Sequence, residues 1–551
     1  MLFRSLSVAS NVALATEVGG TVKGRVTQES GAAIAGATIT LTHKEKNITR
    51  TTQANADGEY VLRNLPVGEY SATIGESGYN TTKQDDLAVL VGSPVVLNVA
   101  LQIGASLEEI VVTGVSVSRV DMAASTAGMT FDSARLDLMP VDNGFEEAIL
   151  LTPGTVETGS DGFRGASSIG GASSAENGYY LNGINVTQIQ SGLGSFGLPW
   201  EAIEQTNVQT GGITAEFGGA LGGVVNSVTK TGNNDFKYGM SYRVDPRAGS
   251  DRFASVRSRS NPSQYWLNNE RDENAFSEAN VWLSGPILKD RLFFYGIYNP
   301  RKEQFQGAGD TRNSDGGTFT STERTSDRWL ANLEWYVTDK HSVRLTGFNT
   351  KRERTDKNYA YDETDNSVGA FTGLTTFEDG GQFWGGSYHG EITNNLALDV
   401  VYGSTKEEEI PRPQNINPLV EDCRTGSCFA YSSHSDASIS PQEFVREQLR
   451  ADLTFDLADH SIKAGIDTYE IDVDVDTRQN GAVVGSPRDV DTSAAFGWWQ
   501  TRVAGAGDSQ ALAAGVPLGA QYVRRRVRLR FSDSTVSSKA FYLQEIGRAH
   551  V

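Results

Sequence analysis

Cysteine, methionine and proline are scarce: 551 residues include only 2 Cys, 5 Met and 15 Pro. Two cysteines are too few for a disulfide-stapled scaffold or an all-thiolate zinc site. No uninterrupted run of about 18 apolar residues occurs, which excludes a helical membrane span. A barrel stays open, because each of its strands needs only about 10 residues of alternating polarity. Cations are the minority charge, 48 Lys+Arg against 68 Asp+Glu for a net charge of -20. A nucleic-acid partner, which needs a basic face, is therefore not expected. His43, His341, His389, His434, His460 and His550 are the only histidines. None stands three positions before a Glu or pairs with another at ligand spacing, and P-loop, nucleophile-elbow and Cys-x-x-Cys patterns are missing too. The reading is a non-enzyme with no cofactor and no metal site.

Plentiful instead are 59 Gly, 23 Phe and 19 Tyr, which suit many short strands joined by turns and an all-β chain of several domains. The densest glycine segment is Gln209–Gly232, QTGGITAEFGGALGGVVNSVTKTG. Each glycine costs about 1 kcal/mol against Ala in a helix, so this segment predicts a tightly turned β unit with positive φ and close backbone approach.

Within it, Gly211-Gly212, Ala215-Glu216-Phe217-Gly218, Gly222-Gly223-Val224-Val225-Asn226 and Thr229-Lys230-Thr231-Gly232 follow the upstream turn around Asn182-Gly183. This ordered set resembles the plug domain of TonB-dependent outer-membrane receptors, placed here at 120–233. Glu146–Leu151 with Thr152-Pro153-Gly154 resembles that family's short helix and turn, and Arg164-Gly165 and Ala202-Ile203-Glu204 follow in family order. Asn182 and Asn207 stand where the family often has Asp and Glu. The fold expectation survives these changes, while any charge-based role at the two positions does not.

Ahead of the plug, Thr21–Val26, Ala37–Thr42, Glu59–Leu62, Glu69–Ile74 and Val95–Leu101 alternate with the turns Asp57-Gly58, Pro66-Val67-Gly68 and Gly78-Tyr79, which predicts a small antiparallel sandwich over 20–103. The order of these motifs resembles the carboxypeptidase regulatory-like domain, without the zinc-ligand pattern of the enzymes that give it its name. Arg4, the apolar residues of Leu6–Leu14 and Ala13-Leu14-Ala15 resemble the remnant of a secretory signal within 1–19, cleaved after Ala15.

The linker, 104–119, contains Glu108-Glu109-Ile110-Val111-Val112-Thr113-Gly114. By residue chemistry this β-forming run is either the plug's first strand or an extended segment available for strand addition to a partner. In the resembled family this position carries the TonB box, so the resemblance implies that Glu109, Ile110, Val111, Val112, Thr113 and Gly114 bind a TonB-type periplasmic energy-transducing protein.

Over 234–545 ten strand candidates follow, at Phe236–Tyr242, Ala279–Leu283, Leu292–Tyr298, Trp329–Val337, His341–Asn349, Gln382–His389, Ala397–Tyr402, Gln448–Phe455, Ser461–Thr468 and Ala540–Gln544. Leu333, Trp335 and Val337 alternate with Glu334 and Tyr336, as a wall between lipid and water requires. Tight turns at Leu288-Lys289-Asp290 and Thr338-Asp339-Lys340 contrast with long polar loops expected at Arg301–Asp327 and Gly403–Glu447. The second loop holds Cys423 and Cys428, expected to form a local disulfide. The fold expected is thus all-β dominated: a β-sandwich, an α+β plug and an incomplete antiparallel transmembrane β-barrel.

Ten strands are too few to enclose a plug. Residues 546–551, Ile-Gly-Arg-Ala-His-Val, match what a common sequencing adapter encodes, so a piece of a longer receptor is expected, with unpaired edges near Phe236 and Ala540 and few contacts beyond Glu545. The resemblance implies energised uptake of a bulky extracellular ligand across the outer membrane of a Gram-negative bacterium, with outer-membrane lipid around the barrel and the sandwich in the periplasm. Oligosaccharide or peptide is favoured over a ferric siderophore, with Tyr359, Tyr361, Trp384, Trp498 and Trp499 as either sugar platforms or interface anchors. A non-transporting adhesive protein and a secreted accessory protein are the competing classes.

Overall fold

The computed structural model describes residues 19–92, 94–104, 110–111, 127–133, 149–157, 167–195, 197–213, 216–245, 254–257, 259, 262, 265–308, 317–362, 365–393, 395–414, 420–424, 429–430, 438–457, 460–479, 498–526 and 529–547. Glu109, Val112, Thr113, Gly114, Ala215, Cys428, Arg164-Gly165 and most of the expected helix Glu146–Leu151 lie outside them.

The first unit is a two-sheet sandwich. Its strands are β1 (Gly20–Gln28), β2 (Thr38–His43), β3 (Thr49–Gln53), β4 (Glu59–Leu65), β5 (Gly68–Gly75), β6 (Thr82–Val89), β7 (Val95–Val96) and β8 (Val99–Leu101), joined by β9 (Ile110–Val111) from the linker. One sheet runs β4-β1-β7 with β8 also on β1, and the other runs β3-β2-β5-β6-β9. Alternation makes the core: Ile39, Leu41 and His43 of β2 and Tyr70, Ala72 and Ile74 of β5 point inward. The sandwich is not purely antiparallel, because β7 and β8 both run parallel to β1. The chain crosses from the β6 sheet to the other before Val95, so it arrives alongside β1 in the same direction.

Buried His43 ties the β2 end to the next turn. Its Nδ1 accepts the backbone N–H groups of Glu45 (3.2 Å) and Lys46 (3.3 Å), its Nε2 donates to the Val67 carbonyl (3.3 Å), and its ring meets Tyr70 edge-on at 4.9 Å. That pattern needs a neutral imidazole. Burial, and then the Lys46 charge, pull its pKa from 6.5 down to about 4.

The plug sheet has the order β10 (Ala127–Asp132), β15 (Ile203–Gly211), β16 (Val224–Thr229), β13 (Gly178–Leu181), β14 (Ile184–Asn185). A separate hairpin pairs β11 (Thr155–Glu157) with β12 (Ser167–Ile169).

The largest sheet is built from β17 (Lys237–Asp245), β20 (Glu273–Leu288), β21 (Leu292–Gly307), β22 (Gly317–Thr338), β23 (His341–Asn349), β24 (Arg352–Asp362), β25 (Ser367–Thr393), β26 (Leu396–Pro413), β30 (Gln442–Leu457), β31 (His460–Gln479) and β34 (Leu529–Gly547). The short β29 (Ser438–Ile439) pairs with β31, while β23 and β24 lie end to end between β22 and β25. Outside it, β18 (Val256–Arg257) pairs with β19 (Tyr265–Leu267), and β27 (Val420–Asp422), β28 (Phe429–Ala430), β32 (Trp498–Val503) and β33 (Gln521–Arg526) form a small sheet. Along β22, Leu333, Trp335 and Val337 are exposed while Asn332, Glu334 and Tyr336 are buried. Tyr238, Met240 and Tyr242 on β17 and Phe541 and Leu543 on β34 continue the outer apolar face, the pattern of a wall against lipid.

The sheet does not close: β17 pairs only with β20, and β34 only with β31, among the described residues. It curves around the plug, and Tyr295, Ile297, Leu330, Phe348 and Phe383 of its inner face join one apolar cluster with plug residues Leu181, Ile184, Trp200 and Val225. Two expectations need correction. Arg301–Asp327 and Gly403–Glu447 are not simply loops, since β21, β22, β26 and β30 extend far into them. Ile546 and Gly547 are paired strand residues opposite Ser461 and His460.

The His43 contacts give a signed pH dependence. With the folded pKa lowered, the unfolded chain takes up the proton first, so the stability conferred by neutral His43 is complete above about pH 6.5 and declines as pH falls toward 4. The loss amounts to about 3 kcal/mol. Hydrogen exchange of β2 and β5 amides, corrected for intrinsic pH effects, is expected to show this decline and to lose most of it in His43→Gln.

Candidate functional site

Four features converge on the plug and its surroundings. The first is the turn between β13 and β14, where Asn182 (φ 50°) and Gly183 (φ 85°) both adopt left-handed backbone, the signature of a two-residue type I′ hairpin. The turn presses Asn182 into the wall. Its Nδ2 donates to Thr229 Oγ1 (2.8 Å) and to Thr346 Oγ1 of β23 (2.9 Å), and its Oδ1 accepts the Thr229 N–H (3.1 Å). Asp could not donate those two bonds, which explains the amide here.

Arg344 Nη1 reaches the same Asn182 Oδ1 (3.3 Å), while Arg344 Nη2 and Lys46 Nζ both lie 2.5 Å from the Glu334 carboxylate. Lys46 belongs to the sandwich, Glu334 and Arg344 to the wall, and Asn182 to the plug. One buried chain of polar groups therefore links all three units. Arg50 with Glu391 (2.9 Å) and Arg63 with Asp456 (3.1 Å) add sandwich contacts at the same end of the wall.

The second feature is Glu216, fully buried after the glycine pair. It meets Lys463 Nζ at 2.5 Å and Arg450 NH2 at 3.3 Å, and Asp452 completes the cluster at 2.8 Å from Arg450 and 3.2 Å from Lys463. Phe217 beside it packs edge-on against Tyr180 at 4.8 Å. Two carboxylates and two cations balance, as a buried cluster requires. Arg450, Asp452, Lys463 and Glu334 were missed by sequence reasoning. The available signal was their place at alternate positions beside lipid-facing Leu449, Leu453 and Leu333.

The motif glycines divide by role. A Cβ at Gly223 would fall 2.3 Å from Ile169, and one at Gly232 would fall 2.4 Å from the Phe294 carbonyl oxygen, where the plug leaves along the wall. Gly218 has open space around it. Gly211 ends β15, Gly212 has φ 67°, Gly222 lies against Asn177, and Asn226 is buried in β16 opposite Asn207. Lys230 donates its N–H to the Ala202 carbonyl (2.9 Å), and Asn332 Nδ2 donates to Thr229 Oγ1 (2.8 Å) and the Lys230 carbonyl (2.7 Å).

The third feature is a cavity of about 430 Å³ at the end of the wall opposite the tight turns and the sandwich. Its floor is the plug loop from Gln188 to Gly197. Arg301, Arg324, Arg328, Arg352 and Arg354 line it together with Glu303, Asp379, Glu407, Glu408 and Glu409; Glu303 pairs with Arg301 (2.5 Å) and Arg324 (2.9 Å), Arg352 pairs with Asp379, and Phe444 is the single aromatic among the described lining residues. Glu407 accepts the Ile189 (2.7 Å) and Gln190 (3.3 Å) N–H groups. Among the described residues the buried Nε atoms of Arg324 and Arg328 have no hydrogen-bond acceptor, while their guanidinium groups pair with Glu303 (2.9 Å) and Glu278 (2.8 Å). Of the aromatic residues singled out above, Trp384 is exposed beside Tyr402 on the outer face, and Tyr361 is buried against Phe319.

The fourth is β9, whose Ile110 and Val111 pair with Thr82 and Lys83 of β6. Far from these, Cys423 is disulfide-bonded, and its N–H donates to the Thr501 carbonyl (2.8 Å).

Comparison with known proteins agrees with this architecture. Residues 21–102 match the carboxypeptidase regulatory-like domain family, and residues 121–224 match the TonB-dependent receptor plug domain family. The TonB-dependent transporter Oar of Myxococcus xanthus is 25% identical over 354 residues, 61% of this chain and 32% of that protein. Among solved structures, the outer membrane transporter YddB of Escherichia coli is similar at TM-score 0.49 and 12% identity, covering 76% of this chain and 54% of that one. The siderophore receptor PirA of Acinetobacter baumannii has TM-score 0.38 and 18% identity, covering 65% and 49%. The chain thus spans about a third of the curated relative's length and about half of YddB's. The plug-domain match and the Oar relative, together with the lipid-facing wall, make the chain similar to TonB-dependent outer-membrane receptors. More narrowly, it is similar to one that carries a carboxypeptidase regulatory-like domain ahead of the plug.

Removing one carboxylate from a balanced buried cluster strands a cation at a cost of about 3–5 kcal/mol. Glu216→Ala is therefore expected to loosen the plug from the wall, read as faster tryptic cleavage within 216–232 in detergent-solubilised protein. An unchanged cleavage rate would remove Glu216 from the clamp.

Proposed function

We propose that this protein serves energised uptake of a bulky nutrient across the outer membrane, without covalent chemistry. The observation that supports the reading is the arrangement along one axis: a charged cavity at one end, a plug bolted to the wall by Glu216 and Asn182, and the strand Ile110–Val111 on the sandwich. Ligand enters the cavity; the segment engages a TonB-type periplasmic protein; traction on it disturbs the plug. Thr82–Val89 offers that segment a strand to pair with, which supports reading it as extended chain suited to strand addition. Deleting 109–114 is expected to abolish uptake while surface display stays normal. Unchanged uptake would instead favour the structural or adhesive reading.

The ligand we propose is a peptide with free termini. The five arginines of the lining suit a carboxylate and its five acidic residues an ammonium group, each at the cost of competing with the ion pairs already made there. A uniformly anionic ferric catecholate would meet repulsion at Glu407, Glu408 and Glu409, and among the described lining residues a sugar would find only Phe444 to stack on. Binding to the purified receptor, measured by calorimetry on free, N-acetylated and C-amidated tetrapeptides, is expected to weaken about tenfold per cap, roughly 1.4 kcal/mol. Arg324→Ala is expected to erase the penalty of C-amidation. Equal affinity for all three peptides, or preference for an oligosaccharide, would discard this ligand class.

A further inference from the structure

Strand β9 stands last in the sandwich sheet β3-β2-β5-β6-β9, with one edge bonded to β6 in parallel register and no further strand beyond it among the described residues. The chain reaches this position already zipped to the sandwich. Asn80 donates its N–H to the Gln102 carbonyl (2.9 Å), Gly104 donates to the Gly78 carbonyl (3.2 Å), and Tyr79 bridges to Ile103. Five residues, 105–109, separate this anchor from Ile110 in the sequence.

We infer that the sandwich presents the segment at Ile110–Val111 as its own edge strand, so that the periplasmic partner adds a strand to the outer edge of β9 and extends the sandwich sheet. The inference rests on the proposed reading of 109–114 as the partner-binding segment and assigns a second role, in partner docking, to the carboxypeptidase regulatory-like domain. A strand has two hydrogen-bonding edges, and among the described residues only one of those of β9 is occupied, by β6. An edge strand held in extended form is a ready template for strand addition. Holding it on β6 also removes most of the ordering cost that a free linker would meet on binding.

The arrangement has a mechanical consequence. Traction on β9 passes first through its bonds to β6, and so into the sandwich, which is held at the mouth of the wall by Lys46 with Glu334, Arg50 with Glu391 and Arg63 with Asp456. The sandwich is then loaded before the plug.

Paired positions on adjacent parallel strands lie about 5 Å apart, within reach of a disulfide, and Lys83 faces Val111 in this register. The test is the full chain carrying Lys83→Cys with Val111→Cys, in detergent, with binding of a TonB-type C-terminal domain measured before and after oxidation. Wild type under the same treatment controls for the native cysteines. The expected result is that the cross-link forms and affinity stays within threefold of the reduced protein. A loss of tenfold or more on oxidation, restored by dithiothreitol, would show that the segment must leave β6 and would overturn the inference while leaving the uptake reading intact. Cysteines that stay free under oxidation would overturn it by removing the pairing. Failure of wild type itself to bind the TonB-type domain would overturn both, so the two failures are distinguishable.

Discussion

The buried carboxylate of Glu334 is the constraint on which the assembly depends. It sits on the inner face of β22, between Lys46 of the sandwich and Arg344 of the wall, and Arg344 in turn reaches Asn182 of the plug. Burying one acid between two cations is tolerable only if each cation keeps its partner and the remaining polar atoms find bonds. Thr229, Thr346 and Asn332 supply those bonds. The cluster therefore holds three units in one register, because moving the sandwich separates Lys46 from Glu334 and moving the plug breaks the bonds of Asn182 to Thr346 and Arg344.

Apolar contact alone would not give this registration. The cluster shared by plug and wall is large, but hydrophobic packing is non-directional. Glu216 with Arg450 and Lys463 fixes the plug at one place on the wall, and Asn182 with Thr346 and Arg344 fixes it at another. On the proposed uptake reading, a plug that shifts under traction is better held by a few directional polar clusters than by continuous apolar packing, since clusters can be exchanged one at a time as water enters. The sandwich, gripped by ion pairs and the small contact of Ile48 with Phe293 and Tyr336, follows the same logic.

What was legible in the sequence followed from periodicity and turn chemistry. Leu333, Trp335 and Val337 point outward as their alternation with Glu334 and Tyr336 requires, and Asn182-Gly183 forms the hairpin turn its residues favour. Strands with polar residues on both faces were not legible. In the sandwich, β3 (TRTTQ) and most of β6 (TKQDDLAV) carry no apolar alternation and passed as connecting chain. In the wall, the far halves of β21, β22, β26 and β30 extend where both faces are wet, so the period-2 signal that marks a lipid face vanishes while the backbone ladder continues.

By itself the sequence determined the order of the units, the all-β class and the lipid-facing stripe, because these depend on local propensity and on side chains alternating along single strands. Tertiary structure alone decided which charges meet. Lys46 and Glu334 are 288 residues apart, and Glu216 and Lys463 are 247 apart. No local rule pairs residues so distant; their partnership exists only because the curved wall brings its inner face against the plug and the sandwich, where an unpaired charge could not be buried. The seat of β9 on β6 is of the same kind: its residues favour extended chain anywhere, and only the vacant edge of the folded sandwich selects where that chain lies.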